Sequence, residues 1–516
     1  MATVHRGTGV TDSERYLQKI AERTFLDLWC YPNIYSDKRG HKSGDGKEIC
    51  DLLVTFGDDV LIFSDKYIEW KPHEDIEVSW KRWYKSAVQK SAQQIRGAER
   101  WLTEFPDRVF TDKDCKHRLP IALPPANARR VHGIAVAIGA EDAAKQHRDD
   151  EKGTFFLSPE IKGDAHAPKD GSNCMPFFIG DIAPDGTFIH VFDRTSLDTV
   201  LDELDTVSDF VSYLRHREQA FRQPLILLAN SELDLLACYF ETEDENGNHS
   251  FCPPDHETGD LYAIPPGRHK RFVSRPEYLA RKVANQDSYA WDKLISIFAQ
   301  TLLSGTAISP PGQEESPMAM EVALRKMAAE DRTRRRSLSA GFMDALERTK
   351  HLPDARYSRV IYPDYDAPDP FCAYVFLFLP IPGNFPDNAS YEEYRTARNK
   401  LLEIYSYATL RHNKTLKRVV GIGMEGLGGK FHPNGSSEDL LILEVDQWTE
   451  ELEQEVKDAE EYFGIMRKER LNWSNITTQE FPDYSKPSHT TRTKMSRQQR
   501  RAMERTRNKR LRKRRD

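Results

Sequence analysis

The sequence predicts a multidomain α/β chain, with mixed α/β domains in series and a basic tail at the end. Three observations predict it. Apolar residues recur at helical spacing in some segments and at strand spacing in others along most of the 516 residues. That length exceeds what one hydrophobic core serves, at about 100–200 residues per domain. The composition, 39% hydrophobic and 30% charged, is that of folded globular domains.

The first element is a helix over 12–29, "DSERYLQKIAERTFLDLW", with Leu17, Ile20, Ala21, Phe25 and Leu28 at helical spacing and Pro32 as its stop. "GKEICDLLVTFGDDVLIFSDKYIEW" follows as an apolar hairpin with strands near 48–56 and 59–65 around a Gly-Asp-Asp turn. "SWKRWYKSAVQKSAQQIRGAERWL" is a helix with an apolar stripe from Trp80 to Leu102, and "RRVHGIAVAIG" is a strand. This order makes residues 1–150 one α/β domain. In a mixed α/β middle domain, 151–301, "PFFIGDIAPDGTFIHVFD" reads as a hairpin around Pro184-Asp185-Gly186. In the same domain "SLDTVLDELDTVSDFVSYLRHREQAF" reads as a helix or helix pair and "PLILLAN" as a buried strand. Residues 302–317 have linker composition, 318–474 a further α/β pattern, and 475–516 are a linker and the tail.

The net charge of −7 is unevenly spread. Residues 491–516 carry 13 Lys or Arg against 2 Asp or Glu, a net of +11, which leaves −18 on the rest. A cationic tail on an acidic body points to a polyanion partner, nucleic acid foremost, with Arg500, Arg501, Arg505, Arg510 and Arg514 among the contacts. The alternative is a tail folded against the chain's own acidic surface. The first fifteen residues have no apolar signal core. The longest apolar run, "FCAYVFLFLPIP", reads as a buried strand and is too short to span a bilayer, so a cytosolic chain without membrane contact is expected. The seven cysteines are scattered and form no CxxC pair, which excludes a disulfide framework and a four-cysteine zinc site. His249, Cys252 and His256 lack a fourth clustered ligand and read as a polar loop.

The hairpin is where chemistry concentrates. Its short turn makes the strands antiparallel neighbours, which brings Asp51 and the Ser64–Lys66 segment to the same end of the ladder. On the preceding helix Glu14 completes a Thr11-Asp12-Ser13-Glu14 capping box and is also in phase with Leu17 and Ala21 on the buried side. On the following helix Gln94 and Ser91 fall within the apolar stripe, odd places for polar residues unless they face a site. This ordered set resembles the restriction-endonuclease-like PD-(D/E)XK nuclease superfamily over about residues 10–140. The resemblance implies an αβββαβ-type core and a metal-dependent nuclease that cleaves phosphodiester bonds of DNA or RNA, with a role in prokaryotic defence or nucleic-acid processing. It implies Mg²⁺ or Mn²⁺ held by Asp51, Asp65 and Glu14, Lys66 as the catalytic lysine, and Gln94 orienting substrate or water. Where the family has an acid two positions before the lysine, this chain has Ser64. Asp65 is the second carboxylate by default, with Glu48 and Glu69 as alternatives. The second functional reading is a catalytically inactive scaffold that binds nucleic acid or a protein.

Other motifs do not carry chemistry. Gly421, Gly423 and Gly426 match G-x-G-x-x-G, but a loop and a strand follow where a dinucleotide site needs a helix. A P-loop fails because Phe431 follows Lys430. Arg332, Arg334, Arg335 and Arg336 read as a solvated helix face rather than a phosphate site. The middle and C-terminal domains are expected to serve recognition, regulation or assembly, through a protein partner or a second copy of the chain.

Overall fold

A computed structural model of the chain describes residues 5–38, 45–148, 152–170, 172–223, 226–251, 262–304, 317–351, 355–364, 367–380, 390–428, 437–467, 472 and 478–482. The fold is mixed α/β with several sheets. The chain divides into two compact units, one built on Ala2–Tyr278 and the other on Leu279–Leu302 and Thr306–Asp516. No helix among the described residues is long and apolar enough to cross a membrane.

The N-terminal unit begins with α1 (Asp12–Trp29), β1 (Cys30–Ser36), β2 (Lys47–Phe56), β3 (Asp59–Tyr67), α2 (Ile76–Tyr84), α3 (Lys90–Glu104), β4 (Val109–Phe110) and β5 (Arg130–Ile138). It continues with α4 (Glu141–Arg148), β6 (Phe156–Lys162), β7 (Phe178–Asp181), β8 (Ile189–Phe192), α5 (Arg194–Glu203), α6 (Val207–Arg222), β9 (Ile226–Ala229), α7 (Glu232–Glu241), β10 (Tyr262–Ile264) and α8 (Arg268–Val273). Its main sheet has the order β4-β1-β2-β3-β5-β8. β1, β2 and β3 are antiparallel neighbours, and β3, β5 and β8 run parallel.

The capping box of Thr11 and Glu14 starts α1 at the expected residue. Its stop is not Pro32: the chain passes at Trp29 straight into β1, a strand that contains Pro32 and that local patterning does not reveal. The β2–β3 hairpin closes on Gly57-Asp58, with Gly57 at φ +58°, the left-handed conformation that two-residue hairpin turns require. The helix expected over 79–102 is interrupted by a π turn at Lys85–Gln89 between α2 and α3. A wider turn of this kind rotates the residues after it, Ser91 and Gln94 included, relative to a regular helix.

Two expectations change. The turn at 183–186 forms, with the Gly186 amide donating to the Ala183 carbonyl, but β7 and β8 are not a hairpin. β7 pairs with β6 in a four-stranded sheet of order β10-β9-β6-β7, while β8 pairs with β5 in the main sheet. Because β8 lies in the main sheet, the boundary expected at 150 falls inside one compact unit. The segment 194–222 is a helix pair.

The C-terminal unit holds most of α9 (Pro276–Leu303), then α10 (Pro317–Ala328), α11 (Arg332–Thr349), β11 (Tyr357–Ile361), β12 (Cys372–Phe378), α12 (Tyr391–His412), β13 (Arg418–Met424), β14 (Ser437–Glu444) and α13 (Glu450–Phe463). The strands form one sheet in chain order. The apolar run at 372–378 is its fully buried strand β12. Gly421 and Gly423 lie inside β13, which pairs with β14; Lys430 and Phe431 lie outside the described residues.

The arginine run of α11 is buried, not solvated. Arg332 and Arg335 both bind Asp292, Arg334 binds Asp364, and Arg336 binds Asn285 and the Gln479 and Glu480 carbonyls. These guanidinium groups are spent on internal acceptors, so the run is structural.

Beside them, burial pushes the Glu330 carboxyl up to about 7, against the pull of Arg334 and the Tyr374 hydroxyl. A folded value raised above the ordinary 4.5 stabilises the fold at low pH, and that contribution is lost as pH rises through about 7. Glu330→Gln, which cannot ionise, should match the wild type at pH 4 and exceed it by up to about 3 kcal/mol at pH 8.5. Thermal melts at the two pH values check this.

Candidate active site

The β2–β3 ladder runs from Phe56–Asp59 to Leu52–Phe63, and there the strands part. One step further would place Asp51 opposite Ser64. At this fork the backbone N–H of Asp65 donates to Asp51 Oδ2 at 2.5 Å instead of continuing the ladder. Gln94, delivered by α3, fills the gap. Its Nε2 donates to Asp51 Oδ1 at 3.0 Å, and its Oε1 accepts from Lys66 Nζ at 2.9 Å and from Ser64 Oγ at 3.0 Å. Asp51, Lys66 and Gln94, expected together from the sequence, are thus joined through one amide.

Strand alternation sends Asp65 and Lys66 to opposite faces of β3. Lys66 and Ser64 meet α3, whereas Asp65 Oδ2 accepts from Ser13 Oγ of α1 at 2.5 Å. Arg194, at the start of α5, donates to the same Ser13 hydroxyl at 3.1 Å and lies over the Tyr16 ring at 4.2 Å. A cleft of about 580 Å³ opens on this side, with Ser13, Glu14, Tyr16, Asp65, Tyr67 and Arg194 in its walls.

Glu14 does both things its position suggests. Its Oε2 caps the helix by accepting from the Val10 and Thr11 amides, and it also accepts from Asn33 Nδ2 at 3.1 Å. The same Nδ2 donates to Glu48 Oε1 at 2.9 Å. Asn33 is a buried residue of β1 with φ +48°, and its Oδ1 has no hydrogen-bond partner. Glu69, the other alternative, is exposed beyond the end of β3.

The electrostatics follow from crowding. Burial pushes the Asp51 carboxyl above its ordinary range, although the Asp65 amide, Lys66 and Gln94 oppose it. Glu48, exposed near the start of β2, is raised by partial desolvation and by Asp51 and Glu14, with Asn33 and Lys66 opposing. Asp65 is pushed up to about 6 by burial, with Asp51 and Glu14 adding to it and Ser13 and Arg194 opposing. At Glu14 burial is outweighed by the bonds from Asn33, Thr11 and Val10, which hold it below its usual value. The carboxylates of Glu14, Glu48, Asp51 and Asp65 offer hard oxygen ligands of the kind a divalent cation takes. The orphaned oxygens Asn33 Oδ1 and Asp65 Oδ1 are further acceptors lacking a donor.

Among the described residues, one set of three His, Cys, Asp or Glu groups already has its ligand atoms within 4.8 Å of one another, and it lies elsewhere: His5, Asp112 and His117. There the two imidazoles stack at 4.4 Å, and the Lys116 and His117 amides occupy the Asp112 carboxylate. Asp51, Asp65 and Glu14 are not drawn together that tightly. Arg500, Arg501, Arg505, Arg510 and Arg514, and likewise Cys252 and His256, lie outside the described residues.

Asn33, Ser13 and Arg194 were not singled out from the sequence. The one available signal was Asn33, an amide in the otherwise apolar stretch "CYPNIY". Replacing Gln94 with Leu strips a hydrogen-bond partner from each of Asp51, Ser64 and Lys66. Urea unfolding in EDTA should show a loss of about 1–3 kcal/mol. No family model, curated protein or solved structure matches the chain.

Proposed function

We propose that the N-terminal unit is a metal-dependent nuclease of the restriction-endonuclease-like type that hydrolyses phosphodiester bonds in DNA or RNA. One observation carries the reading: at the fork of β2 and β3 the Gln94 amide joins the Asp51 carboxylate to the Lys66 ammonium. A buried carboxylate and a lysine held together at diverging strand ends suit phosphate chemistry. The order α1-β1-β2-β3-α2-α3-β4-β5, with β1, β2 and β3 antiparallel neighbours and β5 parallel to β3, supports the same reading.

Asp51 and Glu14, with Asp65 or Glu48 as a further ligand, would hold Mg²⁺ or Mn²⁺. The cation would supply Lewis-acid charge at the scissile phosphate and favour hydroxide over water as the attacking species. Lys66 contributes a fixed positive charge where negative charge develops on the phosphate oxygens. Gln94 holds that ammonium in place and keeps it from collapsing onto Asp51. Water adds to phosphorus, the bond to the leaving oxygen breaks, and the leaving oxygen takes up a proton. The cationic tail would raise affinity without sequence preference by releasing counterions.

Ser64 supports a second reading, a catalytically inactive scaffold that binds nucleic acid or a protein partner. It is fully buried and bonded to Gln94, in the place where the family has an acid.

The test uses the full chain with plasmid, linear DNA and RNA in Mg²⁺, Mn²⁺ or EDTA. Metal-dependent cutting should fall by about 10²-fold or more in Lys66→Ala and in Asp51→Asn. Binding without cutting in any metal would establish the scaffold instead. Deleting 491–516 should weaken binding at low salt and flatten the slope of log affinity against log salt by about 0.9 for each phosphate that the tail neutralises.

A further inference from the structure

We propose that Glu48 is the carboxylate that replaces the acid missing at Ser64, carried into the site by a β-bulge and held there by Asn33. The inference rests on the nuclease reading and names the second metal ligand within it.

The position to be filled is defined by register. Ser64 lies one step beyond the last β2–β3 pair, level with Asp51, and faces α3 together with Lys66. On the neighbouring strand β1, Asn33 falls between the pairs Pro32–Leu52 and Ile34–Cys50, so it too is level with Asp51. Asn33, Asp51 and Ser64 therefore form one row across three strands.

Regular alternation along β2 would send Glu48 and Asp51, three residues apart, to opposite faces. The β1–β2 register is not regular. It jumps from Ile34–Cys50 to Tyr35–Glu48 and leaves Ile49 without a partner. One extra residue on one strand is a bulge, and its effect is to reset the alternation beyond it. Glu48 thereby returns to the side that Asp51 occupies. Its carboxylate then meets the Asn33 amide at 2.9 Å and lies within the electrostatic reach of Asp51, Glu14 and Lys66.

The amide that receives it is itself unusual. Asn33 is 3% exposed and takes a left-handed backbone, and its Nδ2 serves both Glu14 and Glu48. Its Oδ1 is left without a donor. A buried acceptor beside the Glu14 and Glu48 carboxylates is satisfied by a water bound to a cation. Asp65 points to the α1 side, where Ser13 Oγ donates to its Oδ2, and it makes no bond to Asn33. In this arrangement Glu48 is a ligand and Asn33 a positioning residue.

The experiment measures Mn²⁺ binding to the full chain by calorimetry and electron paramagnetic resonance, alongside cleavage, for the wild type and Asp51→Asn, Glu48→Gln, Asp65→Asn and Asn33→Gly. Glu48→Gln keeps an oxygen for the Asn33 hydrogen bond and should melt near the wild type in EDTA, whereas Asn33→Gly keeps the left-handed backbone but takes a donor from Glu14 and Glu48 and should melt below it. Expected are a tenfold or greater loss of Mn²⁺ affinity in Asp51→Asn and Glu48→Gln, and a smaller loss in Asn33→Gly. Asp65→Asn should lose less Mn²⁺ affinity than Glu48→Gln. Wild-type affinity in Glu48→Gln, with a tenfold loss in Asp65→Asn, overturns the assignment and leaves the nuclease reading standing. A wild type that neither binds Mn²⁺ nor cuts overturns both.

Discussion

Two buried aspartates stand at opposite ends of the β2–β3 hairpin, and only one has its charge fully matched. Asp59, at the turn, accepts from Arg130, Arg215 and His132, which overcome burial and hold its carboxyl well below the usual range. Asp51, at the fork, is as deeply buried, but its donors are one backbone amide and one side-chain amide, and the cation acting on it is Lys66. Its pKa moves the other way. A buried carboxylate matched by guanidinium groups is a structural device. One left short of positive charge, with further carboxylates beside it, stores repulsion that an added cation relieves. The remaining features of the site follow from that deficit.

The backbone is irregular where it serves this end of the sheet. Asn33 is left-handed, Ile49 is bulged, and the π turn at Lys85–Gln89 immediately precedes the helix that delivers Gln94. Of these departures Asn33, a non-glycine residue in a sparsely populated backbone region, carries a cost of about 1–3 kcal/mol. Each departure re-aims a polar side chain that a regular element would send elsewhere. Away from the fork, the hairpin ladder runs without a break to its turn.

The same irregularities set what could be read in the sequence. Asp51, Lys66 and Gln94 were legible because alternation, a short turn and helical phase are local rules, and those rules hold there. The facing of Glu48 is not legible, because a bulge carries no composition signal and shifts facing by one residue. Strand β1 was hidden by its proline and by starting without a loop after α1. The 183–186 turn is legible in its own residues, but turn chemistry says nothing about which sheet each flanking strand joins. The arginines of α11 looked solvated because their acceptors, Asp292, Asn285 and Asp364, are 30 or more residues distant in sequence. Long-range pairing of that kind leaves no periodicity to detect.

The site also depends on chain well beyond the hairpin. β8 pairs with β5 on the far side from β3, so the main sheet ends in a strand contributed by residues 189–192. The helix that follows begins at Arg194, which reaches back to Ser13 and, through that hydroxyl, to Asp65. Tyr16 lies beneath the guanidinium and donates to Asp198 on the same helix. This hydrogen-bonded chain ties α1, β3 and α5 together along one wall of the cleft. A segment ending near residue 150 would contain every residue of the motif and still lack the sheet's last strand and the cation beside Asp65. Asp51, Lys66 and Gln94 come from the first 150 residues, while Arg194 and the sheet's last strand come from chain beyond them. The compact unit that presents the cleft therefore extends to Tyr278 rather than ending near residue 150.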